Sequence, residues 1–216
     1  MKLNAIFFTF KIFISATLIF ALGCSTQQNK EFNETQVPQN TNITIDDSDY
    51  ENIIEKFTDK ATEYDGLHNT LEVNATILNT EVSQAISKRK ATTLNWNKEQ
   101  FDKDYTDRFL INSKNSEFFV SFYTPERKNN DLTRSETLWK VILTAGGNRY
   151  EGKVSKYSFL VSEIQNIFPF HTHWNNAYII TFNVPISEIE FHESSLTISG
   201  PLASQVLKFK KSKLNK

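Results

Sequence analysis

From Ser116 to Phe209 the chain is written in short runs of aromatic and β-branched residues, each stopped by proline or glycine. That pattern limits the fold more than any other feature, because such residues suit a pleated, half-buried surface and proline cannot donate to a sheet ladder. "EFFVSFYTP" stops at Pro125 and "AYIITFNVP" at Pro185. "TLWKVILTAGGNRYEGKVSKY" reads as a hairpin turning at Gly146-Gly147-Asn148. "SSLTISG" and "SQVLKF" read as two more strands, parted by Gly200-Pro201. Between them "FLVSEIQNIFPFHTHWNN" reads as a short helix or turn followed by a loop.

The first half is mixed. Tyr50, Ile53, Ile54, Phe57, Ala61 and Tyr64 recur at helical spacing. They predict a helix from Asp47 or Asp49 to Gly66, with acids at its start as the helix dipole prefers. Leu71, Val73, Ala75 and Ile77 alternate with polar residues, the period of a strand. "TEVSQAISKRKATTL" and "NKEQFDKDYTDRFL" return to helical spacing. About seven strands, with helices bunched after the first, predict a mainly β member of the α+β class. The architecture expected is an immunoglobulin-like antiparallel sandwich, with an N-terminal helix and a helical insertion after the first strand. The tryptophan and cysteine pair of antibody domains is absent.

The N-terminus carries Lys2 and Lys11 and no acid before Glu31. Ile12 to Leu22 is apolar, ending in Ala21-Leu22-Gly23-Cys24. A spanning helix needs about 20 apolar residues, whereas a secretory signal needs about 7–15 followed by small ones. The length therefore favours export. The segment resembles a bacterial lipoprotein signal peptide with its lipobox, Ala21 standing where leucine is commonest. The resemblance implies cleavage after Gly23 and acylation of Cys24. Each buried methylene contributes about 0.8 kcal/mol, so several acyl chains would hold the protein to a membrane almost permanently. Ser25, where aspartate usually signals inner-membrane retention, implies the outer membrane if the host is Gram-negative.

Removing residues 1–23 leaves 22 basic and 25 acidic residues, a net charge of -3. With no basic surplus, nucleic acid is not an expected partner. A single cysteine excludes an intrachain disulfide and a cysteine-cluster metal site. Ser25 to Asp49 is polar, with Pro38 in its middle and almost no large apolar residues, so residues 24–48 read as a flexible tether. Residues 49–209 read as one domain, and 210–216 as a basic, frayed tail. The blocks from "EVNATILNTEVSQAI" to "LTISGPL" resemble, in order and spacing, a set of uncharacterised single-domain bacterial envelope lipoproteins. That resemblance implies no activity and no site residues.

Candidate sites are few. His171-Thr172-His173 would offer two rings to one metal if it lay on a strand, with His192 as a third ligand. Loop histidines with ordinary polar partners are the plainer expectation. Phe168, Phe170 and Trp174 surround Pro169 in a turn-like segment. Aromatics there suit recognition, yet a loop that folds back to cap the core explains them better. No serine sits in a nucleophile elbow, and Gly146-Gly147 lies between strands rather than before a helix, so neither an acyl-transfer nor a phosphate motif is present.

These readings lead to a non-enzymatic, lipid-anchored envelope protein. It meets the membrane through Cys24 and contacts another envelope protein, with no cofactor. The alternatives are a metal- or small-ligand-binding lipoprotein using the His171/His173 region and, third, a hydrolase.

Overall fold

A computed structural model describes residues 43–134 and 136–212. The signal segment 1–23, the lipidation candidate Cys24, most of the tether and residues 213–216 lie outside the described residues. In chain order the elements are α1 (Asp47–Lys56), β1 (Thr58–Asp65), β2 (His68–Ile77), α2 (Thr80–Leu94), α3 (Lys98–Asn112) and β3 (Ser116–Tyr123). There follow β4 (Lys140–Ala145), β5 (Asn148–Glu151), β6 (Lys153–Lys156), α4 (Val161–Ile167), β7 (Asn176–Phe182), α5 (Ser187–Glu190), β8 (Ser194–Ser199) and β9 (Ser204–Phe209).

The protein is mainly β, with two antiparallel sheets. One has the order β1-β2-β3-β7-β6 and the other β5-β4-β8-β9. They adjoin along two margins. β5 runs into β6 through Gly152, whose N–H still donates to Val141 O at 2.9 Å. At the opposite margin β9 lies along β1, where the Lys208 N–H donates to Asp59 Oδ2 at 2.7 Å and the Gln205 amide to the Glu63 carboxylate.

Burial follows the layering. β4 and β8 alternate buried and half-buried residues, the mark of a sheet with one covered face. β3 is buried almost throughout, so both of its faces are covered. Phe118 packs edge-on against Phe182 and Phe209, and Phe122 against Trp139, on the face turned to the second sheet. Phe119 points the other way and meets Phe168 at the end of α4. α1, α2 and α4 cover that face with Ile54, Val82, Ile86 and Ile164. The Tyr50 hydroxyl ties α1 to α4 by donating to Ile167 O at 2.7 Å.

Three expectations are corrected. The first helix stops at Lys56, and Thr58–Asp65 is a strand. Thr58 Oγ1 donates to Ile54 O at 2.7 Å, the chain then pairs with β2, and Gly66 (φ +60°) opens a two-residue turn rather than ending a helix. The helical pair consequently follows the second strand of nine, not the first of seven. Residues 43–48 belong to the domain rather than the tether: Ile45 packs on the main core, and Ile43 on a smaller cluster with Phe101 and Tyr105. At the other end Ser212 is held too, its N–H donating to Glu190 O and its hydroxyl accepting from Asn79 Nδ2 at 3.0 Å.

Candidate functional site

The histidines do not converge. His171 and His173 lie in turns before β7, not on a strand, and their rings diverge. His171 is 2% exposed; its Nδ1 lies 2.9 Å from Ser121 Oγ and its ring meets the edge of Phe119. Burial lowers its pKa, which favours the neutral ring. His173 is exposed against Trp174, with ring centroids 4.4 Å apart. His192 sits after α5 with Nδ1 3.0 Å from Glu188 O. Among the described residues no group of three or more His, Cys, Asp or Glu is placed to hold a metal ion.

The aromatic loop divides. Phe168 is 2% exposed and lies flat on Phe119, the centroids 3.6 Å apart and the planes 5° from parallel. Phe170 is half-buried and packs on the same core. Trp174 is 68% exposed. The loop caps the outer face of β3, and of the three aromatics only Trp174 is mostly exposed.

A cleft that the sequence did not signal lies between α2, α3 and α4. Its outer part, about 370 Å³, is lined by Leu94, Trp96, Tyr157, Phe159, Asn166 and Ile167 among others. A deeper cavity of about 250 Å³ shares Lys90, Tyr157, Phe159 and Ile167 with it and adds Arg108, Glu117 and Phe168. Local sequence places each wall. Asn79 caps α2 by accepting from the Val82 N–H at 2.9 Å, and Asn97 with Gln100 forms a capping box on α3. Asn95, left-handed at φ 51°, turns the chain between them and leaves Trp96 beside Lys90.

Charge gathers behind the cleft, where Lys90 and Arg108 of its lining meet Asp104. Asp104 accepts from Ser87 Oγ (2.7 Å), Arg108 Nε (2.8 Å) and Lys90 Nζ (3.2 Å). Burial pushes its pKa up, but Arg108, Ser87 and Lys90 together outweigh that and hold the carboxyl below its ordinary value. Lys90 moves down, because burial and the Arg108 charge outweigh the attraction of Asp104. Glu117 accepts from Thr181 Oγ1 at 3.2 Å, and burial raises its pKa. Such a set can hold and orient a polar group.

No known protein family matches the chain, and no curated protein matches it. Among solved structures it is similar to a protein of unknown function from Burkholderia pseudomallei. That match has 7% sequence identity and a TM-score of 0.42, over 76% of this chain and 82% of the other. Among the described residues no helix is long and apolar enough to cross a membrane.

Proposed function

We propose that this is a lipid-anchored protein of the bacterial cell envelope, in the outer membrane where the host has one, whose domain binds another envelope component and catalyses nothing on it. One observation carries the reading. The only cysteine of the chain directly follows Ala21-Leu22-Gly23 at the end of an 11-residue apolar run. Acylation needs a thiol there, and the run is too short to span a bilayer. The domain is read as a sandwich of immunoglobulin-like type. Two antiparallel sheets around one core support the sandwich; the adjoining margins lend no support to the immunoglobulin-like form.

The test is crosslinking of the full-length protein in its own cells, beside a Cys24→Ser form, with the mature N-terminal peptide weighed by mass spectrometry. An acylated Cys24 and a protein captured reproducibly only with the anchored form are expected. An N-terminus that retains residues 1–23, or an unmodified Cys24 on a membrane-bound protein, would overturn the anchor. Equal capture by both forms, or no capture, would overturn the envelope-partner role.

A further inference from the structure

We propose that the cleft between α2, α3 and α4 binds a small organic anion: a carboxylate on an aromatic or branched apolar body, its head group inward. The inference stands on the cleft and not on the lipid anchor, so the two can fail separately.

The inner wall selects the head group. Asp104 is already engaged by three donors, and it faces two cations, Lys90 and Arg108. Arg108 spends only its Nε on Asp104, so among the described residues its terminal amino groups and the Tyr157 hydroxyl make no hydrogen bond, although both residues line the deeper cavity. A guanidinium with free amino groups beside a phenol is a ready cradle for a carboxylate, which takes paired N–H donors. Glu117, on the same wall, is already engaged by Thr181, whose Oγ1 donates to Glu117 Oε1 at 3.2 Å.

The outer wall selects the body. Leu94, Trp96, Phe159 and Ile167 line the mouth, and Phe159 remains 57% exposed, its ring tilted against Tyr157 at 4.6 Å between centroids. An apolar mouth over convergent polar groups, at a few hundred Å³, is the ordinary form of a small-molecule site. It is also a poor site for a free inorganic ion, which would leave that mouth wet.

The purified full-length protein would be titrated calorimetrically with 4-phenylbutyrate, indole-3-propionate and 4-methylpentanoate, with the matched protein-free buffer as blank. The uncharged 4-phenylbutanol serves as the matched control. We expect saturable binding of at least one acid with Kd below about 1 mM, and at least about tenfold weaker binding of the alcohol. Arg108→Gln should weaken the acid about tenfold or more, and Phe159→Ala about threefold to tenfold. Phe159 is exposed enough for its variant to fold, and that variant decides the matter if Arg108→Gln does not. The proposal is overturned if no acid saturates with a Kd below about 1 mM, if the alcohol binds as well as the acid, or if folded variants keep the original affinity.

Discussion

Phe168→Ala separates a capping loop from a recognition loop. The Phe168 ring is 2% exposed and stacked on Phe119, with Phe170 tilted against it at 6.1 Å. Truncation removes a transfer contribution of about 1.5–3 kcal/mol for a buried phenylalanine. It also removes a stacking contribution of about 0.5–1.5 kcal/mol. Phe119, held in the middle of β3, cannot follow the receding ring, so a cavity term adds to both. The total falls at about 3–5 kcal/mol, the usual cost of Phe→Ala in a core. For a domain of this size each kcal/mol moves the melting temperature about 2–4 °C, so a drop of about 10 °C is expected. Trp174→Ala, at a site 68% exposed, should cost less than about 0.5 kcal/mol. Differential scanning calorimetry on both variants, with circular dichroism to confirm the fold, reads the pair. A Phe168→Ala loss under about 1 kcal/mol, or equal losses from the two variants, would refute the assignment of this loop to the core.

Asp104→Asn should cost about 2–3 kcal/mol at neutral pH, less than the roughly 3–5 kcal/mol for breaking a fully buried pair, because all three side chains keep some exposure. Asp104 titrates below its ordinary value in the fold, so the stability it supplies is complete above about pH 4 and is lost as pH falls through its folded pKa. Urea unfolding at a series of pH values should therefore show the gap between wild type and Asp104→Asn closing below pH 4; a gap constant with pH would contradict this. Gly200→Ala should cost about 1–3 kcal/mol, because a Cβ there would stand 2.2 Å from Trp139 Cε3 and the indole is fixed by its N–H bond to Asn129 O at 2.8 Å. Thermal unfolding and tryptophan emission check it, and an unchanged melting temperature would show that the Trp139 ring can move.

β3, β4, β5, β7, β8 and β9 were legible because aromatic and β-branched residues stop at Pro125, Gly146-Gly147, Pro185 and Gly200-Pro201, whereas β6, which leaves the hairpin at Gly152 to pair with β7, was not. α2 and α3 were legible from their spacing. β1 was not, because Ala61 and Tyr64 fall four and seven places after Phe57 and so continue a helical stripe by coincidence. The contrary signal was present in Asp65-Gly66, a hairpin dipeptide between two polar-apolar runs. Pairing with Leu71 and Val73 of β2 decides the matter, and a local period does not register a partner strand. The aromatic loop was half legible: capping could be inferred, but not which ring would face out. The cleft was illegible. Lys90, Arg108, Glu117 and Tyr157 come from α2, α3, β3 and the segment after β6, and each looks in sequence like an ordinary surface residue.

That illegibility bears on why the charges are there. Lys90, Asp104 and Arg108 are each less than a third exposed, and withdrawing three charges from water opposes folding unless their mutual attraction repays it. Apolar residues of similar volume would hold α2 against α3 as well or better, as Phe101 and Ala91 already do one turn away. A charged cluster beneath an apolar mouth is therefore poorly explained by stability and better explained by something it must hold. Lys90→Met, Asp104→Leu and Arg108→Met together should leave stability unchanged or raise it by about 1–4 kcal/mol, whereas Asp104→Asn alone lowers it, since the triple variant removes all three charges of the cluster at once. The same triple variant should lose carboxylate binding in the cleft altogether. Chemical denaturation and calorimetric titration of one preparation give both answers. A triple variant less stable by more than about 3 kcal/mol would return the cluster to a purely structural role. A stable triple variant that still bound the acid with its original affinity would overturn the proposed site.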